Sequence, residues 1–178
     1  MHTKDKQSLT IDALNVVGKK VDVDINILKK YPNLKEIIIK NIEIDNKIIE
    51  LLNNLKLLEK VFFVNCQINT KIQLNQITRM ELAYCKNVKE NILCDNLSRL
   101  YIDSCTKVDI KNFAHLKLIS LAITNTIIRN LNYIENIQSI RNLYLNEIDL
   151  NQNIDFNKLS NLEKLDLDGS KVQDKEEF

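Results

Sequence analysis

The chain has 178 residues, 44% of them hydrophobic, which is long and apolar enough for one domain with its own core. Its 25 Lys+Arg nearly cancel 24 Asp+Glu, so a net charge of +1 supplies no global drive towards nucleic acid or anionic lipid. With 2 Gly and 1 Pro, neither a Gly-rich phosphate loop nor a Gly-rich linker to a second domain can be built.

The chain opens on the polar run His2-Thr3-Lys4-Asp5-Lys6-Gln7, unlike a secretory signal peptide, which needs an early apolar stretch. No apolar run approaches the roughly 18 residues that cross a bilayer. The expectation is a soluble chain, intracellular and cytoplasmic, with no membrane or nucleic-acid partner. Residues 1–33 read as an N-terminal capping region with a degenerate first strand near Leu9. Within it, Asp24 is placed to cap a helix that turns Ile25 and Leu28 inward and ends before Pro32.

From residue 34 to 172 the order apolar-x-x-apolar-x-apolar recurs in seven clear copies, after a weak one at residues 6–14. The clearest are Leu58-x-x-Val61-x-Phe63, Leu97-x-x-Leu100-x-Ile102, Ile140-x-x-Leu143-x-Leu145 and Leu162-x-x-Leu165-x-Leu167. The second apolar residues are Leu9, Ile37, Val61, Met80, Leu100, Ile119, Leu143 and Leu165. Most units of this register run to 19–24 residues, too short for two helices and their turns, which excludes ankyrin, TPR and HEAT arrays. Each has room for one short strand, because apolar and polar residues alternate as in Leu100-Tyr101-Ile102, and a compact return. The longer units have room for a helix in the return. Asp45 would cap one in which Ile48, Ile49, Leu52 and Leu55 share a face. The shortest have room only for 3₁₀ or extended returns.

After each strand come a small or apolar residue (Ile42, Cys66, Cys85, Cys105, Thr124, Ile148, Ser170) and then another apolar one (Ile44, Ile68, Val88, Val108, Ile127, Leu150, Val172). The whole unit, as in Leu58-Glu-Lys-Val61-Phe-Phe63-Val-Asn-Cys66-Gln-Ile68, resembles a leucine-rich repeat. Asn is never at the ladder position, and Cys85 and Cys105 resemble the cysteine-containing subtype. The resemblance implies an α/β solenoid: a curved parallel β-sheet on a concave face, with short helices, 3₁₀ turns or extended returns on the convex face. Residues 173–178 read as a polar C-terminal tail. The last strand is expected to leave an open edge, blunted by Lys164, Asp166 and Asp168.

The candidate chemistry is sparse. Cys66, Cys85 and Cys105 fall at the ladder position and Cys94 in a return, where all four read as small buried residues. Their spacings lack the close pairs of a zinc site, so no metal and no cofactor is expected. A Cys105/His115 dyad is a remote enzymatic alternative. The informative surface is the outward side of the sheet, where Ile38, Phe62, Val64, Tyr84, Tyr101, Ile123 and Tyr144 are expected to form an apolar, aromatic strip. Beside it, Lys60, Arg79 and Arg99 stack on neighbouring strands, with Glu81 and Asp103 in reach. The expected function is a non-catalytic module that binds a protein partner, itself as a homodimer included, through this face. An adaptor that positions a phosphatase or ubiquitin ligase is the alternative.

Overall fold

The computed structural model describes residues 6–13, 22–88, 92–150 and 154–172. The polar tail 173–178 and, within the region 1–33, residues 1–5 and 14–21 lie outside the described residues. Eight strands form one sheet: β1 (Ser8–Asp12), β2 (Glu36–Lys40), β3 (Lys60–Val64), β4 (Arg79–Ala83), β5 (Arg99–Asp103), β6 (Ser120–Thr124), β7 (Asn142–Asn146) and β8 (Lys164–Asp166). They lie in chain order, and every neighbouring pair is parallel. A parallel sheet in chain order requires each connection to cross back over one face. The returns therefore form a second layer, and the core lies between the layers.

Alternation decides which side chains enter that core. Val61 and Phe63 on β3 are buried while Lys60, Phe62 and Val64 between them are half-exposed. The same pattern holds on β2, β5 and β7. From the second return onward, each closes with a tight turn in which a buried residue's carbonyl accepts the amide three residues on: Leu55 from Leu58, Leu74 from Ile77, Cys94 from Leu97, Phe113 from Leu116, Ile137 from Ile140 and Leu159 from Leu162. Cys94 thus takes the place that larger apolar residues hold elsewhere.

The longer returns carry a helix among the described residues and the two shortest do not, but length alone does not decide between α and 3₁₀. The 24 residues from Ile37 to Val61 hold the α-helix α1 (Asn46–Asn53). Asp45 accepts the Ile48 amide at 2.9 Å, and Ile48, Ile49, Leu51 and Leu52 are buried. Asp24 caps the Asn26 amide at 3.0 Å, but the element it starts, Ile25–Lys30, is a 3₁₀ helix with Leu28 buried. In the two shortest units the described return residues hold no helix and are joined by a bridge between Ile72 and Ile92. Three further two-residue parallel pairs tie successive returns together, among them Ile128–Arg129 with Val108–Asp109.

One register is corrected. Ile119 is expected inside as the marker of its unit, yet it is 44% exposed. Leu121, not Ile119, pairs with Leu100 and Leu143. The segment Leu116-Lys117-Leu118-Ile119-Ser120-Leu121-Ala122-Ile123 satisfies the apolar pattern in two frames that differ by two residues. Two residues leave strand parity unchanged, so Leu121 is inward in both frames. The structure takes the later frame because it buries Leu118 and Ile123 as well as Leu121. The ladder residue of this unit is consequently Thr126, not Thr124, and its following apolar residue is Ile128, not the exposed Ile127.

A left-handed residue follows the strand in seven successive units. Asn41, Asn65, Tyr84, Ser104, Asn125, Glu147 and Gly169 all have φ between 45° and 66°. This bend delivers the ladder residue to the core edge. There, Cys66, Cys85 and Cys105 point their thiols at the carbonyls of Ile39, Phe63 and Leu82, at 3.3, 3.3 and 3.4 Å. The hydroxyls of Thr126 and Ser170 go to the carbonyls of Thr124 and Leu145, at 2.8 and 2.6 Å, and accept the amides of Cys105 and Ile148. Thiols and hydroxyls do here what an amide ladder does in a regular array. At the far edge of the sheet, Leu165 on β8 is 40% exposed, in a column whose other members are buried.

Candidate functional site

The outward face of the sheet is a grid of three columns, set by the strand register. The first reads Ser8, Glu36, Lys60, Arg79, Arg99, Ser120, Asn142, Lys164. The second reads Thr10, Ile38, Phe62, Glu81, Tyr101, Ala122, Tyr144, Asp166. The third runs from Asp12 through Lys40, Val64, Ala83, Asp103 and Thr124 to Asn146. Ile38, Phe62, Val64, Tyr101 and Tyr144 lie on this face, half-buried. Tyr84 sits just past the end of β4 and is 56% exposed.

Ile123 is a correction: it is 0% exposed and belongs to the core. With Ile119 as the marker, Leu118 would continue the outward column of Arg99; in the structure Ser120 holds that place and Leu118 is buried. A strand ending at Thr124 keeps Ile123 on the inward parity.

The three stacked cations are not equivalent. Lys60 pairs with Glu36 at 3.3 Å. Arg79 lies between two rings, its guanidinium 5.4 Å from the centroid of Phe62 and 4.8 Å from that of Tyr101, and reaches Glu81 at 3.7 Å. A planar, weakly hydrated guanidinium suits such a stack where an ammonium would not. Arg99 is exposed and has no ion pair or ring contact among the described residues. Asp103, one of its candidate neutralisers, instead accepts the Ser104 hydroxyl at 3.0 Å. Farther along, Lys164 lies 4.9 Å from the ring centroid of Tyr144. Neither the ring stacking nor the Glu36 pairing is visible without side-chain positions.

No protein-family model matches the chain, and no curated protein does. Among solved structures it is similar to an internalin, InlF, of Listeria monocytogenes, at 16% identity and a TM-score of 0.52. That match covers 85% of this chain but 53% of the other, so this chain spans about half the length of that relative. It is also similar to internalin C2 of the same organism, at 21% identity and a TM-score of 0.50, over 90% of this chain and 80% of that one. Internalins are leucine-rich repeat proteins, and likeness at these identities shows the fold. The chain is a leucine-rich repeat solenoid.

The solenoid does not bring the enzymatic alternative together. Cys105 is buried with its thiol on the Leu82 carbonyl, whereas the exposed His115 directs Nε2 to the Ile92 carbonyl at 3.1 Å. Nor do the described residues gather three or more His, Cys, Asp or Glu as a metal cluster. No described helix is long and apolar enough to cross a membrane.

The thiols are poor nucleophiles for a physical reason. A hydrogen bond with the Cys105 thiol, followed by burial, pushes Cys85 up to about 12. Burial does the same to Cys94, also to about 12. Cys66 is raised through its hydrogen bond with Cys85 and by burial. Only Cys105 is lowered, because the Cys85 thiol hydrogen-bonds to it, and it is shielded at 4% exposure. A thiol must ionise and be reached to react. Ellman's reagent at neutral pH is therefore expected to modify none of the four cysteines in the folded chain and all four in denaturant. Fast reaction of one thiol in the folded chain would contradict this.

Proposed function

We propose that this leucine-rich repeat solenoid is a non-catalytic module that binds a protein partner on its concave sheet face. Phe62, Tyr101 and Tyr144 are the anchors, Ile38, Val64 and Tyr84 extend the patch, and Lys60, Arg79 and Arg99 orient the partner. The repeats span residues 34–172, behind an N-terminal cover of residues 1–33. The setting is intracellular, where four unpaired cysteines stay reduced.

One observation carries this reading. Phe62, Tyr101 and Tyr144 stand half-exposed on one outward column of the sheet, with Arg79 stacked between the first two and Lys164 on the third. A contiguous aromatic strip left at the surface fits a face covered by another protein. Aromatic and arginine side chains also dominate interface energetics.

The partner is a foreign protein or a second copy, and light scattering separates the two. A mass of 20.7 kDa at micromolar concentration excludes the homodimer. Against whichever partner is bound, Tyr101→Asp is expected to weaken affinity by about tenfold or more. Circular dichroism should be unchanged, because the side chain points away from the core. Unchanged affinity in that variant would sink the concave-face reading.

A further inference from the structure

The outward side of β6 carries only small residues: Ser120, Ala122 and Thr124. Its neighbours place Tyr101 and Tyr144 in register with Ala122, one on each side. Two strand spacings separate these tyrosines, roughly 9.6 Å at the backbone. Each ring is engaged by a cation from the strand on its far side, Tyr101 by Arg79 of β4 and Tyr144 by Lys164 of β8. Alanine in register between two tyrosines leaves a notch with an alanine floor and an aromatic side chain on either side.

We propose that this notch takes one neutral apolar side chain of a protein partner, and that an acidic residue adjoining it in the partner seats on Arg99. The proposal rests on the concave-face reading and specifies what that face selects. A side chain between two walls needs van der Waals spacing on both sides, roughly 7–8 Å in all, which is within two strand spacings. An anion is disfavoured by the negative ring faces. A cation would be repelled by Arg79 and Lys164, which already occupy those two rings. A neutral aromatic or branched aliphatic group meets neither obstacle.

The acidic neighbour follows from the charge around the notch. Arg99 borders it at the strand-start side, pairs in register with Ser120, and is exposed without an ionic partner among the described residues. Arg79 lies beside Arg99 in register, and the pair faces Glu81, 3.7 Å from Arg79, as its carboxylate. Positive charge is therefore in excess on that side. At the strand-end side stands Asp103, which repels an acid. The seat for a carboxylate is thus on one side of the notch, and it fixes the direction in which the partner segment lies.

The test is selection of a random peptide library displayed on phage against the folded chain, followed by affinity measurements on a synthetic selected peptide. Selected peptides are expected to share an aromatic or branched aliphatic residue beside Asp or Glu. Ala122→Leu, which fills the notch, is expected to weaken the peptide about tenfold with unchanged circular dichroism. Arg99→Glu should weaken it similarly, and exchanging the peptide's acid for Lys should restore binding to that variant. Absence of enrichment, or selected peptides without the acidic neighbour, overturns the proposal. Affinity lost in Tyr101→Asp but kept in Ala122→Leu and Arg99→Glu also overturns it, while leaving the concave face as the site. Affinity kept in all three variants removes both readings.

Discussion

Phe63→Ala is expected to destabilise the solenoid by about 3–5 kcal/mol, whereas Phe62→Ala, one residue earlier, is expected to cost under about 1 kcal/mol. Phe63 is fully buried on β3, between Ile39 and Leu82 of the flanking strands. Its removal forfeits the transfer free energy of the ring and leaves a cavity that a rigid parallel ladder cannot close. Total stabilities are about 5–15 kcal/mol, so the loss is a large share. With a urea dependence of about 2 kcal/mol per molar, the midpoint should fall by roughly 2 M. Each repeat touches only its neighbours, so the cavity weakens the junctions of β3 with β2 and β4 and leaves the later strands intact. Phe62 faces outward over Arg79, and its loss removes a ring contact but opens no void. Equal costs for the two variants would mean that the strand parity is wrong.

That contrast indicates what a sequence of this kind makes legible. Inward columns repeat at fixed offsets, so Val61, Phe63, Leu100 and Ile102 are readable as core without any coordinates. The α1 helix is equally readable, because Asp45 and the apolar residues at 48, 49, 52 and 55 agree on one face. The frame around Ile119 is not readable, because five apolar residues within eight positions satisfy the repeat twice. Register is resolved there by burial of Leu118 and Ile123, a property of the neighbouring strands. The stack of Arg79 between Phe62 and Tyr101 is hidden for another reason. Column position brings the three residues within reach, but only rotamers decide whether a guanidinium pairs with a carboxylate or lies on a ring. One signal was present and carried more than its composition suggested. Asn41, Asn65 and Asn125 recur at one offset past the strand, together with Gly169, and these are the residue types that tolerate a left-handed backbone.

Tyr84 holds that same offset, and Tyr84→Asn is expected to stabilise the solenoid by about 1 kcal/mol. A tyrosine at φ 56° bears the steric cost that asparagine largely avoids. Glycine at the site would relieve the strain as well, but would enlarge the conformational entropy of the unfolded chain. Asparagine also offers a gain that glycine lacks. Asn65 donates its amide to Asn41 at 2.6 Å, and Asn41 donates to Asp12 at 2.6 Å, so the units before Tyr84 carry a running side-chain ladder. A third amide at position 84 extends it by one rung. The urea midpoint should rise accordingly. The tyrosine's ring stands 56% exposed at the rim of the proposed binding face. On that face the same substitution is expected to weaken partner binding, so that stability and affinity move in opposite directions. A variant that gains stability and keeps full affinity would show that Tyr84 lies outside the contact. A variant that loses stability would show that the ring contributes packing greater than the strain it imposes.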